Sequence, residues 1–483
     1  MFAKIKLFLL SNQNINQTLA KNTFWLGFGE ITSRLLKTII IFYAIRILGA
    51  SGWGTFSYAI SLCGLFMIFS DFGISSILTR ELAKPETNKE NYISTSFLIK
   101  ILLNILIFII IIFTAPVFSK DIIATHIIPI VALIMIFDGM REFIFAINRS
   151  LEKMEAEAVL KIVTNVLLII ITYIFLIQSA TVTSLALGYM AGSLAGFIVT
   201  LFIFRKHLKN IFRGFSADLI KPLITTAWPF AFFAILGSIM ANTDTVMLGL
   251  MKDTTEVGFY ATSQRIIAFL FILPGLITSS LLPTLTKQIH DKEKIKSVVS
   301  SSIKIIYMIA IPLTLGGLII GDSLIVKLFG AEYGPATRML QIALISILFV
   351  FPALIFNNII FVFNKHKSVI KIFLIGTILN VLMNIILIPK YGGIGSSIAT
   401  LISQILIMIL IQKELSKLIK VNLFSGSLKL IVASIIMSIM LYFLRITDVN
   451  IWASISSSVI LYFSILIIMK EEFLLKIIHT IQK

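Results

Sequence analysis

Fourteen apolar runs constrain this chain more than any other feature of its sequence. A spanning helix needs roughly 20 apolar residues to cross about 30 Å of hydrocarbon. Read against polar, Gly and Pro breaks, the runs lie near 24–47, 52–77, 92–114, 125–146, 158–179, 182–204, 222–249, 257–285, 298–321, 336–362, 372–388, 394–412, 427–445 and 452–469. Little of the 483 residues is left for anything else, so a large soluble domain is excluded. Only 13% of residues are charged, against about 25% in soluble domains. Mean hydropathy is +1.01. The fold class expected is all-α integral membrane, with about 14 transmembrane helices.

Orientation follows from Lys and Arg. The termini and alternate connections on their side hold 26 of these residues, and the opposite connections hold 6. That asymmetry places both termini in the cytoplasm. It also accounts for the net charge of +18, so the basic excess reads as topology and no nucleic-acid partner is expected. The single cysteine, Cys63, excludes an internal disulfide. The five histidines lie far apart in sequence, and no Gly-x-x-x-x-Gly-Lys-Ser/Thr or His-Glu-x-x-His stretch occurs. The run Ile5 to Leu10 is too short for a signal-peptide core and reads as an interfacial helix.

A weak repeat links helices 1–2 to helices 7–8. Ile47-Leu48-Gly49 and Gly54-Thr55-Phe56 in the first copy match Met247-Leu248-Gly249 and Val257-Gly258-Phe259-Tyr260 in the second. Six helices separate the copies, so the halves run parallel, with an axis along the membrane normal and a path between two six-helix lobes. The expected organisation is a cytoplasmic or interfacial N-terminus 1–21, an N-lobe 22–204, a cytoplasmic linker 205–221, a C-lobe 222–412, helices 13–14 over 413–469, and a cytoplasmic tail 470–483.

Charges within the spans are the candidates for function. An ionisable group at the bilayer centre is costly, by about 2.5–3.5 kcal/mol on insertion scales, and needs a partner or a wet cavity. Glu30, Arg34 and Lys37 fall at i, i+4 and i+7 on one helical face. Glu30 can neutralise Arg34, which leaves Lys37. Arg265, Lys304 and Lys100 have no acid close in sequence and lie deeper than easy snorkelling. Together these cations point either to a positive cavity for an anionic ligand or to cross-helix pairs that hold the bundle. Arg offers a donor fork suited to phosphate oxygens. Asp138, Arg141 and Glu142 share a face and suit an ion cluster or a ligand site. Asp71 either braces the inner end of helix 2 or serves the path. Lys161, Lys429 and Arg338 sit near span ends and are expected to snorkel.

A second polar group comprises Asn242, Thr243 and Asp244 on helix 7, Asn380 and Asn384 on helix 11, and Thr400 on helix 12. Their oxygens suit a small cation, and equally suit helix-to-helix hydrogen bonds.

Several segments together carry a family resemblance: 46–56, 71–74, 79–83, 244–249, 257–260, 328–333 and 388–395. In order and spacing the chain resembles Wzx-type polysaccharide flippases, in the superfamily that holds lipid II flippases and MATE exporters. The resemblance implies a transporter and not an enzyme, with no catalytic residues. It implies two lobes, two extra C-terminal helices, and alternating access of a cationic cavity. The substrate implied is an undecaprenyl-diphosphate-linked oligosaccharide, turned to the outer leaflet of a bacterial inner membrane for O-antigen, capsule or exopolysaccharide. Arg34 and Arg265 match basic cavity residues of that kind by position. Asp244, Asn380, Asn384 and Thr400 resemble a sodium site, with Asn384 in place of a carboxylate. No cofactor is implied beyond a coupling ion, sodium or proton. Membrane lipid, a polysaccharide polymerase and a chain-length regulator are the implied partners. The rival is a MATE-like multidrug or cation antiporter, which requires buried acids instead of arginines.

Overall fold

A computed structural model describes residues 15–84, 88–119, 121–205, 208, 211–287, 291–363, 365–419, 427–471 and 474. The expected helix over Ile5 to Leu10 lies outside the described residues, as does most of the tail. The elements in order are α1 (Ile15–Asp71), α2 (Ile74–Leu82), α3 (Lys89–Phe118), α4 (Ile122–Ser150), α5 (Met154–Gln178), α6 (Val182–Phe204), α7 (Ile220–Met251), α8 (Thr254–Leu270), α9 (Ile272–Lys287), α10 (Lys292–Phe329), α11 (Ala336–Val362), α12 (His366–Ser416), α13 (Ser427–Ile446) and α14 (Ile451–Ile468). Two 3-10 turns precede α7 and α11, and there is no strand among the described residues.

Among the described residues, twelve continuous helical stretches are long and apolar enough to cross a membrane. The chain is a multi-pass membrane protein. Two of its helices are far too long for one crossing. α1 has 57 residues and α12 has 51; at 1.5 Å per residue each would exceed twice the hydrocarbon thickness. Each contains one non-helical glycine, Gly49 (φ 67°) in α1 and Gly392 (φ 56°) in α12. Positive φ is unstrained only without a Cβ. The outer turns expected at 48–51 and 389–393 are therefore single glycine kinks.

Two other expected helices are broken. The one over 52–77 stops at Asp71 and restarts at Ile74, through Phe72 (φ 43°) and Gly73 (φ 76°). The one over 257–285 breaks at Phe271. Pro274 lacks the N–H that Leu270 would accept, and its ring crowds that carbonyl. Elsewhere the starts are capped in the usual way: Asn88, Asp121, Thr181 and Asn450 each accept a backbone N–H from the first turn they precede.

The helices are amphipathic in the sense that lipid requires. On α3, Leu102, Leu106, Phe113 and Val117 point outward, with Phe113 76% exposed, while Ser96, Lys100 and Asn104 are buried. A soluble helix would reverse this.

The chain divides into two compact units, 1–258 and 259–483. In the first, α1 packs on α4, α5 and α7, and α5 packs along α6. The unit takes in α7, which the repeat assigns to the second half; Ser238 Oγ on α7 donates to the Gly64 carbonyl at 2.9 Å. The repeat's own glycines meet here. A Cβ on Gly54 would lie 1.6 Å from the Thr254 carbonyl oxygen, and one on Gly258 1.9 Å from that of Ala50. In the second unit, α10 packs on α11 and α13, and α11 packs on α12.

Candidate functional site

Three helices of the first unit enclose a polar cavity of about 400 Å³. α1 contributes Glu30, Ser33, Arg34 and Lys37; α4 contributes Asp138, Arg141, Glu142 and Phe145; α5 contributes Lys161, Thr164, Asn165 and Leu168. Each set repeats at three and four residues, so each is one stripe of one helix face. The sequence stripe on α1 and the cluster on α4 thus line one cavity. Lys161 joins them as a wall residue instead of snorkelling at a span end. α5 begins at Met154, a turn before the expected 158, which sets Lys161 two turns into the helix.

The charges interlock. Arg34 Nε donates to Glu30 Oε1 at 2.8 Å, and Lys161 Nζ lies 3.5 Å from Glu30 Oε2. Lys161 also meets Glu157 at 3.0 Å. Glu157 is fully buried and takes both Nε and Nη2 of Arg149, at 2.8 and 2.6 Å. Arg149 reaches Glu142 as well, at 2.7 Å. Arg141 pairs with Asp138, which also accepts from Ser193. The Lys37 ammonium sits 5.8 Å from the Tyr189 ring centroid. Arg141 Nε–H is buried with no acceptor among the described residues. Four cations and three acids line the cavity, so it is a mixed-charge site.

The remaining candidates lie elsewhere. Lys100 is 1% exposed and pairs with Asp71, across from the Phe143 ring. Asp71 accepts also from Ser75 N–H, so it braces the break between α1 and α2. Lys304 pairs with the buried Glu471 at 2.9 Å. These two lysines, unmatched in sequence, are matched in space. Replacing Lys100 with methionine is expected to destabilise the protein by about 2 kcal/mol, because the half-buried Asp71 loses its charge partner. Unfolding in detergent measures it, and a loss under 1 kcal/mol would contradict the assignment. Arg265 lies half-buried on α8, in the second unit.

On α12, Asn380 Nδ2 donates to Thr400 Oγ1 at 3.2 Å and Asn384 Nδ2 to Asn380 Oδ1 at 3.1 Å. This chain of side chains ties together the two arms of α12 on either side of Gly392. Asp244 is buried on α7, in the first unit. Among the described residues, no three His, Cys, Asp or Glu side chains cluster as metal ligands would.

The family described as polysaccharide biosynthesis protein matches residues 19–289, more than half of the sequence. The chain belongs to that family. The capsular polysaccharide biosynthesis protein CapF of Staphylococcus aureus is 24% identical over 399 residues, covering 81% of this chain and 98% of CapF. A relative from Shigella flexneri, named for O-antigen transport, is 24% identical over 410 residues, covering 82% of this chain and 97% of its own. Among solved structures, the lipid II flippase MurJ in an inward closed conformation matches with a TM-score of 0.76 at 17% identity. That match covers 92% of this chain and 98% of MurJ. It establishes a shared fold. The family resemblance carried by the sequence segments is correct.

Proposed function

We propose that this member of the family is a flippase for lipid-linked oligosaccharides in the assembly of a surface polysaccharide. The observation that carries the reading is the cavity walled by Arg34, Lys37, Arg141 and Lys161 from three membrane helices. Guanidinium and ammonium groups held in a membrane need an anion, and a diphosphate supplies one at the junction of lipid and sugar. Arg265, on α8, is kept as a further candidate for binding the diphosphate. Lys100 and Lys304, committed to Asp71 and Glu471, have framework roles instead.

α1 and α12 each cross twice in this reading, folding back at Gly49 and Gly392. That makes fourteen crossings in two six-helix lobes with two further helices, and leaves both termini in the cytoplasm of a bacterial inner membrane. The carrier lipid is undecaprenyl diphosphate and the mechanism is alternating access. Export of an anion from an inside-negative cell is favoured by about 2.3 kcal/mol per charge per 100 mV. A coupling ion, sodium or proton, would serve to reset the carrier. Each acid of the cavity is already paired, Glu30 with Arg34, Asp138 with Arg141 and Glu142 with Arg149. A cationic cargo would have to displace arginines, which disfavours the antiporter.

The test is flipping in reconstituted vesicles, read with a reagent confined to the outer leaflet. The substrate is an undecaprenyl-diphosphate oligosaccharide. Arg34→Ala is expected to slow movement more than tenfold, with Arg265→Ala run in parallel. Wild-type rates in both variants would sink the cavity assignment, and cation efflux without lipid movement would favour the antiporter.

A further inference from the structure

We propose that Glu30 is a displaceable counter-anion. Its carboxylate holds the place between Arg34 and Lys161 that a phosphate group of the ligand takes, and the ligand binds by evicting it. This rests on the diphosphate reading of the cavity.

The geometry sets Glu30 apart. One carboxylate bridges two cations from two helices, at 2.8 Å to Arg34 Nε and 3.5 Å to Lys161 Nζ. Those are the two donors that a phosphate entering between α1 and α5 would take. The other cavity acids are anchored differently. Asp138 is held by Ser193 as well as Arg141, and Glu142 by Arg149 beside the fully buried Glu157. Among the described residues, Glu30 has side-chain partners only in the two cations it would yield. It is also accessible, with its side chain 47% exposed and that of Arg34 51%. Lys161 does not depend on it, because Glu157 holds the ammonium at 3.0 Å from a position with no exposure. Glu30 can therefore swing away and leave Lys161 in place, while Arg34 is freed for the incoming anion.

Charge balance makes the eviction necessary. A diphosphate brings about two negative charges. With Glu30 still between the cations, carboxylate and phosphate would crowd like charge into one site. Once Glu30 has moved, Arg34 and Lys161 turn to the phosphate. The same exchange in reverse assists release, since Glu30 competes for both cations as the phosphate leaves. Glu30 is thus a positioning residue whose competition sets affinity against turnover.

The experiment uses the purified full chain in nanodiscs, with inorganic pyrophosphate and undecaprenyl diphosphate as separate probes. Glu30→Gln is expected to bind both about five- to tenfold more tightly, since a partly exposed ion pair no longer competes. Tighter binding of the lipid alone would mean that the tail is needed to deliver the diphosphate to the same exchange. Glu30→Asp keeps the charge and is expected to stay within twofold of wild type. In vesicles, Glu30→Gln should lower both the half-saturating lipid concentration and the maximal rate. A role confined to folding would not produce that split. Unchanged or weaker binding by Glu30→Gln, while Arg34→Ala loses binding, overturns the proposal and leaves the cavity reading standing. Binding that is indifferent to Arg34→Ala overturns the cavity reading, and this proposal with it.

Discussion

A Glu157→Gln variant is expected to lose about 3 kcal/mol of stability, because breaking a buried ion pair strands the charges that remain. Glu157 has no solvent exposure, and both of its oxygens are engaged by Arg149, with Lys161 on one of them. Glutamine keeps the shape but removes the charge that two cations share. Arg149 retains Glu142 at 2.7 Å, which limits the loss. Lys161 is left with Glu30 alone. The measurement is the unfolding midpoint in a denaturing detergent, and Lys296→Ala is the reference. Lys296 faces Glu293 at 3.9 Å with both side chains largely exposed, so its removal should change stability by under about 0.5 kcal/mol. Equal midpoints for the two variants would mean that Glu157 is not part of the framework. If the framework reading is right, Glu157→Gln should also weaken anion binding, because it lets Lys161 drift.

The same network explains what was legible in the sequence. Glu30, Arg34 and Lys37 advertise a helix face because three charges recur at helical spacing. Asp138, Arg141 and Glu142 do so for the same reason. That the two faces meet is a tertiary fact with no local signal. Lys161 was hidden because its companions on the stripe, Thr164, Asn165 and Leu168, are uncharged. A boundary one turn too late then moved it to the interface. Lys100 and Lys304 looked unmatched because Asp71 is 29 residues from one and Glu471 lies beyond four further helices from the other. Sequence counting finds partners within a turn, whereas a helical bundle supplies them from any neighbour.

Glycine at the kinks could be anticipated from turn chemistry, but glycine within α6 could not. Gly188, Gly192 and Gly196 recur every four residues in an apolar run, which is the small-residue pattern that lets membrane helices approach closely. Without the partner face there was nothing to separate it from chance.

That seam carries the second large effect, and Gly192→Leu is expected to cost about 3 kcal/mol or more. A mere Cβ on Gly192 would lie 2.6 Å from the Leu168 Cα, and one on Gly188 2.7 Å from the Thr172 Cα. Both obstacles are backbone, so α5 and α6 would have to separate. Helix association in lipid gains little from apolar burial and depends on close packing. Leu168 and Thr164 are also wall residues of the cavity. Separation of the helices should therefore disturb Lys161 and lower flipping as well as stability. Gly196 differs, because its Cβ would meet the Thr164 side chain, at 2.3 Å to Cγ2 and 2.6 Å to Oγ1. Gly196→Ala should then be relieved by Thr164→Gly, which moves the small residue to the other side of the seam. Gly192→Ala should not be relieved by trimming Leu168, since its nearest obstacle is the main chain. Unfolding midpoints of the two single variants and the two doubles measure this contrast. Equal rescue in both pairs would show that side-chain crowding, and not backbone approach, sets the distance between α5 and α6.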